Sequence, residues 1–417
     1  MFKLLNSLVR NSELMWTILA QFIQLASGVI LIKVLTSELE VAAYGLFALV
    51  MSVSAFVLTV PFTAIQQGFY RYRSIYNKKN KQSEFYISMV LGVSALIILY
   101  IFVAYIILQS FSFGGYWVNH FFLIALFIVS EIYKVFTRSI VNADRQRKTY
   151  AKSILAEFII KLVLLSFITY FFSNLELDFV ISTYTFANFV SVFICSYFNI
   201  DMLKNIEYKL FKLIWFRVLI FSSPLLLWAS FGWIRDMSLR WFLELHGETS
   251  EVAMFTAISS IAIIIPMVMQ SIIGAYFIPI MYENGRGENS NKLKHKFNIL
   301  ILILILIGIL LFLFLYAFSG FIVEQLTDSI YVIHSWALPW MFISYYLFCC
   351  GMISATSLLV DFKPKKLFLP NLVSGLVVLC AGLFFIKEYG LEAAVFSYCI
   401  SYISYFLLTF FIVYKNR

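Results

Sequence analysis

Five cations lie inside long apolar stretches of this 417-residue chain, where charged side chains are costly and their presence calls for a reason. They are Lys33, Lys134, Lys161, Arg235 and Arg240, and three acids accompany them, Glu131, Glu157 and Asp236. A charge at the centre of a membrane helix costs about 2.5–3.5 kcal/mol on insertion scales, so it persists where it is paired, snorkels or faces water. Because cations outnumber acids, and because arginine binds phosphate through a bidentate fork, this set predicts a cationic binding site for an anionic ligand.

Spacing along the seventh apolar stretch predicts which of these charges cancel. Asp236 and Arg240 are four residues apart, so they are expected to pair on one helix face. Arg235 points about 100° away, with no acid three or four residues from it. It is predicted either to snorkel to the interface or to bind a ligand in a wet cavity. Lys33, at the end of the first stretch, has the same two interpretations.

Two further cations have acids at helical spacing. Lys134 follows Glu131 by three residues, and Lys161 follows Glu157 by four. These spacings favour internal pairs buried in a helix bundle. Alternatively, the two lysines line the N-terminal half of a central cavity, and the acids carry a coupling proton or ion. His334 titrates near neutral pH, but its position at the start of a stretch is more typical of an interfacial side chain.

Composition and the placement of the remaining cations indicate a multi-pass membrane protein. Hydrophobic residues make up 62% of the chain, charged residues 13%, and the mean hydropathy is +0.90. Of 31 Lys and Arg residues, 25 lie in the termini and in alternate gaps between apolar stretches, as in cytoplasmic loops. The net charge of +9 is spread over these short segments, which argues for anionic lipid headgroups and against nucleic acid. The five cysteines have no metal-ligand spacing and are interpreted as small buried hydrophobes.

Twelve stretches are long enough to span a bilayer as helices. They cover approximately 14–35, 41–66, 85–109, 118–140, 150–173, 178–200, 214–240, 251–281, 297–320, 330–358, 367–387 and 391–414. The first lacks a following cleavage site and is predicted to be a retained helix. An even number of crossings with basic tails places both termini in the cytoplasm, and the gaps leave no room for a soluble domain.

Similar segments recur in the two halves of the chain. Glu40-Val41-Ala42-Ala43-Tyr44 opens the second stretch, and Glu251-Val252-Ala253-Met254-Phe255 opens the eighth. The predicted fold is therefore all-α and polytopic, with about 12 transmembrane helices in two six-helix lobes, residues 1–205 and 206–417. Because six is even, a parallel pseudo-two-fold axis along the membrane normal is expected, with substrate bound in a central cavity between the lobes.

The segment from Lys33 to Phe47 resembles the helix 1–2 signature of Wzx-type O-antigen and polysaccharide repeat-unit flippases. This family belongs to the multidrug/oligosaccharidyl-lipid/polysaccharide exporter superfamily. In this signature a basic residue closes helix 1 and a Tyr-Gly pair, here Tyr44-Gly45, opens helix 2. The second half is similar in that Ser223-Pro224 begins helix 7 and Arg240 closes it. The family's Asp-Arg pair is absent there, because Leu239 precedes Arg240.

The resemblance implies a bacterial inner-membrane flippase that moves an undecaprenyl-pyrophosphate-linked oligosaccharide by alternating access. The five cations would hold the pyrophosphate or acidic sugars, and Asp236, Glu131 or Glu157 would serve proton or ion coupling. Membrane lipids and a polysaccharide polymerase or chain-length protein are the implied partners. No cofactor, metal, nucleic acid or nucleotide is expected, since the chain has no Walker motif.

Three alternatives stay open at this point. A multidrug antiporter of the same superfamily would favour an acid-dominated cavity, contrary to the cation excess. A polytopic polysaccharide polymerase would usually need a larger outer loop than the roughly ten residues available. A membrane scaffold without transport has no evident use for intramembrane charges. We therefore expect a transporter and not an enzyme.

Overall fold

A computed structural model describes residues 12–78, 81–110, 115–172, 175–197, 208–273, 290–360 and 363–415. This part of the chain is built from long helices and contains no strand. We number the apolar helices α1 (Ser12–Glu38), α2 (41–78), α3 (Gln82–Ser110), α4 (Phe121–Ala143), α5 (Arg147–Phe171), α6 (Leu177–Tyr197), α7 (Tyr208–His246), α8 (Thr249–Ile273), α9 (Ser290–Leu326), α10 (Ala337–Val360), α11 (368–389) and α12 (391–415).

The predicted all-α polytopic fold is confirmed. Ten described helical segments are long and apolar enough to cross a membrane. One of them, Lys365–Lys415, has 51 residues, which is far longer than the roughly 20 that one crossing needs. It is broken at Gly390 (φ +48°, ψ −127°), a conformation that glycine adopts without steric cost, so it supplies both α11 and α12. The helix α4 is also long enough to cross but contains three charges, which leads to the count of about twelve.

Several predicted helix limits are wrong, because helices continue past the apolar stretch that reveals them. The second helix extends to residue 78, so Arg71 and Arg73 lie on it and not in a loop. The seventh runs from Tyr208 to His246, so Pro224 lies inside it and Arg240 precedes its end by six residues. The tenth begins at Ala337, after a 3-10 helix over Ser329–His334.

The described chain separates into two compact units. Unit 1 comprises residues 1–28 and 50–229, and unit 2 comprises residues 29–49 and 230–417. The helices α1, α2 and α7 therefore each contribute to both units. The predicted lobe boundary between residues 205 and 206 lies outside the described residues, and the sequence repeat behind it stays a prediction.

In unit 1, the first half of α7 packs directly on α2 and α3. The Trp215 ring lies against the Gly92 backbone, where any Cβ atom would overlap the indole. Its Nε1 donates a 2.7 Å hydrogen bond to the Ser88 carbonyl oxygen, and Ser222 Oγ donates to the Ala64 carbonyl oxygen at 2.8 Å. These contacts surround a core of fully buried aromatic side chains that includes Phe69.

Two prolines interrupt the backbone hydrogen bonding of long helices. Pro61 lies in a π-helical turn, Leu58–Phe62, within α2. Pro224 in α7 cannot donate to the Ile220 carbonyl oxygen, and Ser223 Oγ donates to that oxygen instead at 3.2 Å. Side-chain hydroxyls that replace a missing backbone donor are a known way for membrane helices to tolerate proline.

The helix α4 ends in a Schellman motif. Arg145 has φ +59°, its N–H donates to the Asn142 carbonyl oxygen, and the Gln146 N–H donates to that of Val141. Glycine is the usual residue at this left-handed position. The turn brings Asp144 to Tyr86, whose hydroxyl donates to the carboxylate at 2.7 Å.

Candidate functional site

Five charged side chains from α4 and α5 form what we call the buried charge cluster. Its members are Glu131, Lys134 and Arg138 on α4, and Glu157 and Lys161 on α5. The two lysines and two glutamates are each at most 8% exposed. They lie on the helix faces that meet α6, so the charges are enclosed within unit 1.

Lys134 is the best-coordinated member of the cluster. Its Nζ donates to Glu131 Oε1 at 2.6 Å, to Glu157 Oε1 at 3.1 Å and to Asn188 Oδ1 at 2.8 Å. Three acceptors match the three N–H donors of an ammonium group. The Asn188 amide also donates to Glu131 Oε1 at 2.8 Å and to Ser130 Oγ at 2.9 Å, so this fully buried residue fixes the orientation of the pair.

Glu157 joins the remaining cations. Lys161 Nζ lies 2.5 Å from Glu157 Oε1, and Arg138 Nη2 lies 2.7 Å from Oε2. Lys161 Nζ also lies 3.9 Å from the centroid of the Tyr184 ring, a cation–π contact. The predicted pairs Glu131–Lys134 and Glu157–Lys161 are therefore confirmed.

Sequence reasoning missed Arg138 and Asn188. The cation pattern places Arg138 among the 25 residues of the termini and cytoplasmic gaps, although it lies four residues after Lys134 and therefore on the same face of α4. That spacing was a usable signal. Nothing in the sequence indicates that α6 brings Asn188 to this face.

In unit 2, the charge pairing on α7 differs from the prediction. The Asp236 carboxylate accepts both Arg235 Nε at 2.7 Å and Arg235 Nη2 at 3.2 Å. The predicted Asp236–Arg240 ion pair does not form, and Arg240 Nη1 donates to the Asp236 backbone carbonyl oxygen at 2.9 Å. The prediction failed because the long Arg235 side chain turns back to its neighbour, and α12 supplies a further donor, the Tyr402 hydroxyl, at 2.7 Å from Oδ1.

Aromatic rings and an amide complete the surroundings of Arg235, which is 4% exposed. Its Nη1 donates to Asn371 Oδ1 at 3.1 Å. The guanidinium carbon lies 4.3 Å from the Phe348 ring centroid and 5.3 Å from those of Tyr402 and Tyr405. Arg235 is thus both neutralised and enclosed, which contradicts the snorkelling interpretation.

Among the buried cations that the structure describes, Arg240 is the one with only neutral hydrogen-bonding partners. Its Nε donates to Thr256 Oγ1 at 3.0 Å, and its Nη2 donates to Ser259 Oγ at 3.3 Å. The guanidinium carbon also lies 5.5 Å from the Phe255 ring centroid. The side chain is 7% exposed, and among the described residues no carboxylate lies within ion-pair distance of it. Its guanidinium is therefore held by neutral groups and not by a direct ion pair.

Lys33 lies in unit 2 and has the contacts of a helix cap. Its Nζ donates to the backbone carbonyl oxygens of Glu324 at 3.1 Å and Thr327 at 2.5 Å. These are the terminal carbonyls of α9, where a cation also interacts favourably with the helix dipole. Its predicted role in ligand binding has no support in these contacts.

His334 lies in the 3-10 helix before α10 and is half-buried. Burial lowers its pKa below the ordinary value, although Glu251 and Glu392 act in the opposite direction. Burial also raises the pKa of the neighbouring Tyr331. Both residues lie in the 3-10 helix that connects α9 to α10 in unit 2.

Comparison with known proteins gives a similarity of fold. An inward-facing multidrug resistance MATE family transporter of the MOP superfamily has 16% identity and a TM-score of 0.66, over 95% of each chain. The lipid II flippase MurJ in an inward closed conformation has 13% identity and a TM-score of 0.72, over 96% of this chain and 87% of that one. An outward-facing MATE transporter has 13% identity and a TM-score of 0.62, over 96% and 94%.

No family model matches the sequence, and no curated protein matches it either. The similarity is therefore one of structure, extending along nearly the whole chain at identities that show the fold alone. The chain has the polytopic helical fold found in MATE transporters and in MurJ.

Proposed function

We propose that this protein is a Wzx-type flippase that moves an undecaprenyl-pyrophosphate-linked oligosaccharide across the bacterial inner membrane by alternating access. The O-antigen or capsule repeat unit is the expected cargo. Support comes from the fold, which is shared with a lipid II flippase, and from the resemblance of the segment around Tyr44-Gly45. The multi-pass architecture agrees with a membrane location.

The observation that carries the proposal is the sign of the buried charge. In unit 2, Arg235 and Asp236 cancel, which leaves Arg240 with a charge of +1. In unit 1, the buried charge cluster has three cations and two carboxylates, which is again +1. Each of these two sets of side chains thus has a net charge of +1. A pyrophosphate or an acidic sugar is the kind of passenger that such a charge attracts.

We assign the direct contact with the passenger to Arg240. The other four predicted cations, Lys33, Lys134, Lys161 and Arg235, already donate to carboxylates, an amide or helix carbonyls. Arg240 donates to neutral groups, and exchanging the Thr256 and Ser259 hydroxyls for phosphate oxygens would replace neutral hydrogen bonds by charge-assisted ones. A non-enzymatic role, cytoplasmic termini and a polymerase or chain-length partner complete the proposal.

The alternative is a multidrug transporter, because the MATE structures share the fold equally well. Extrusion of organic cations calls for an acid that is free to pair with the passenger. The carboxylates of Glu131, Glu157 and Asp236 each already accept from at least one cation, and this arrangement favours the anionic passenger. Glu244 and Glu251 each have one buried carboxylate oxygen without a hydrogen-bond partner among the described residues, and this is the observation that favours the alternative.

Complementation of a gene deletion tests the proposal. We expect the deletion to accumulate lipid-linked glycan on the cytoplasmic side, the wild-type gene to clear it, Arg240→Gln to fail and Arg240→Lys to clear it in part. Arg145→Gln, which removes an exposed arginine, is the matched control and is expected to clear the glycan fully.

Two outcomes would overturn the assignment. Full clearance by Arg240→Gln would remove the role of that residue. Efflux of a cationic dye by the wild type, abolished by Asp236→Asn, would replace the flippase by the multidrug transporter.

A further inference from the structure

The buried charge cluster carries one proton more than neutrality requires. Three cations and two carboxylates share a space enclosed by α4, α5 and α6, and the net charge is +1. A net charge in a low-dielectric interior is costly unless a counter-charge or water reaches it. Loss of one proton would leave the cluster neutral with every carboxylate still paired.

The three cations differ in how many hydrogen bonds they would lose with that proton. Arg138 is excluded, since a guanidinium keeps its proton in proteins. Lys134 uses all three N–H groups on Glu131, Glu157 and Asn188. Among the described residues, Lys161 has a single hydrogen-bond acceptor, Glu157 Oε1. A neutral amine still donates one N–H to Glu157, so Lys161 can give up its proton without losing a hydrogen bond.

The described helices that pack on α5 are α1, α4 and α6. The helix α1 contacts α5 through Ala20 and Ile23 and has no titratable residue between positions 14 and 32. The other facing groups come from α4, α5 itself and α6: Glu131, Lys134, Arg138, Glu157, Tyr184 and Asn188. Lys161 shares its one carboxylate partner, Glu157, with Lys134 and Arg138.

We propose that Lys161 is a proton-exchange site. In one state, an N–H bond of its ammonium breaks and the proton passes to water, which becomes hydronium, and the cluster falls from +1 to neutral. In the other state, the amine lone pair takes a proton from hydronium on the opposite side, which becomes water, and the cluster returns to +1. This inference rests on the proposed transport function, because it assigns the coupling ion of that transport as a proton carried by a lysine.

Direct observation of the lysine tests the site without any passenger. Full-length protein labelled with 13C at lysine Cε, in lipid nanodiscs, reports the charge of each lysine by NMR, and Lys161→Arg identifies its signal by loss. We expect one signal, absent from that variant, to titrate at lower pH than the other lysine signals. A Lys161 signal that titrates together with the exposed lysines would overturn the inference.

Transport in liposomes tests the coupling. One proton per cycle changes the equilibrium ratio of passenger by about tenfold per unit of pH difference. Lys161→Arg holds a permanent charge and is expected to abolish this dependence. Lys148→Arg, the same substitution at an exposed position of the same helix, is expected to keep it.

The outcomes separate the two proposals. A titrating Lys161 signal in a protein that moves no lipid-linked glycan would overturn the flippase and leave the proton site. Glycan transport whose pH dependence survives Lys161→Arg would overturn the proton site and leave the flippase. If Lys161→Arg does not fold, Lys161→Gln identifies the signal and, being permanently neutral, is equally expected to abolish the pH dependence.

Discussion

Gly45 allows α2 and α8 to approach each other closely in unit 2. Gly45 lies against the first turn of α8, and a Cβ atom there would overlap the Thr249 carbonyl oxygen and lie 2.9 Å from Thr249 Cγ2. A carbonyl oxygen in a helix cannot rotate away, so Gly45→Ala must separate α2 from α8. Gly28, in the interior of α1, has no neighbour within 4 Å of the same position and provides the matched control.

The magnitude follows from comparing these two substitutions. Replacing a helical glycine by alanine stabilises by about 0.8–1.0 kcal/mol through helix propensity, and that gain applies to both sites. Overpacking costs about 1–3 kcal/mol and applies to Gly45 alone. We therefore expect Gly28→Ala to unfold at a higher temperature than the wild type, and Gly45→Ala at a lower one, with about 1–3 kcal/mol between them.

Thermal unfolding of the purified full-length protein in detergent, followed by intrinsic fluorescence, measures both variants. Addition of Thr249→Ser to Gly45→Ala removes Cγ2 but leaves the carbonyl oxygen, so it should restore little stability. A Gly45→Ala protein that unfolds at the same temperature as Gly28→Ala would refute the close helix contact.

Four further outcomes are expected. Arg145→Gly should raise the free energy of unfolding by about 1 kcal/mol, and with it the unfolding temperature, because glycine adopts the left-handed position freely. A lower unfolding temperature would contradict the Schellman turn. Lys33→Met should lower the free energy of unfolding by about 1.5–3 kcal/mol, because the α9 cap is lost. Lys33→Arg should lower it less. His334→Gln should reduce the loss of stability on acidification: since the folded-state pKa is depressed, the unfolded chain binds the proton first as pH falls through about 6.5. Arg240→Met should unfold at or above the wild-type temperature while failing to transport.

Hydropathy was sufficient to predict the fold, because every described helix must satisfy its backbone hydrogen bonds in the membrane and must be apolar over its crossing. It could not predict helix ends. The second half of α2 bears Arg71 and Arg73 and is less apolar, yet it continues the helix beyond the crossing, where polar residues serve as well. The division between α11 and α12, by contrast, is predicted correctly, because the gap between the predicted helices 367–387 and 391–414 contains Gly390, where the helix breaks.

Spacing predicted the pairs that form within one helix and missed those that depend on which helices pack together. Glu131–Lys134 and Glu157–Lys161 follow from helical periodicity and are present. The link between these two pairs, from Lys134 to Glu157, requires α4 and α5 to be neighbours. On α7, Arg235 reached Asp236 although adjacent positions point in different directions, because a flexible side chain can bend back toward its own helix.

Arg235 and Arg240 lie on the same helix but differ in the groups that surround their guanidinium charges. Arg235 has a carboxylate, an amide and three rings around it, so its charge is compensated within the fold. Arg240 is as deeply buried but is held by hydroxyls, a carbonyl and a ring, which stabilise a guanidinium less than a carboxylate does. A fold selected for stability alone would place an apolar residue there, since replacing buried charge by well-packed apolar groups is often neutral or stabilising. The proposal that an anionic passenger binds Arg240 rests on this difference between the two arginines.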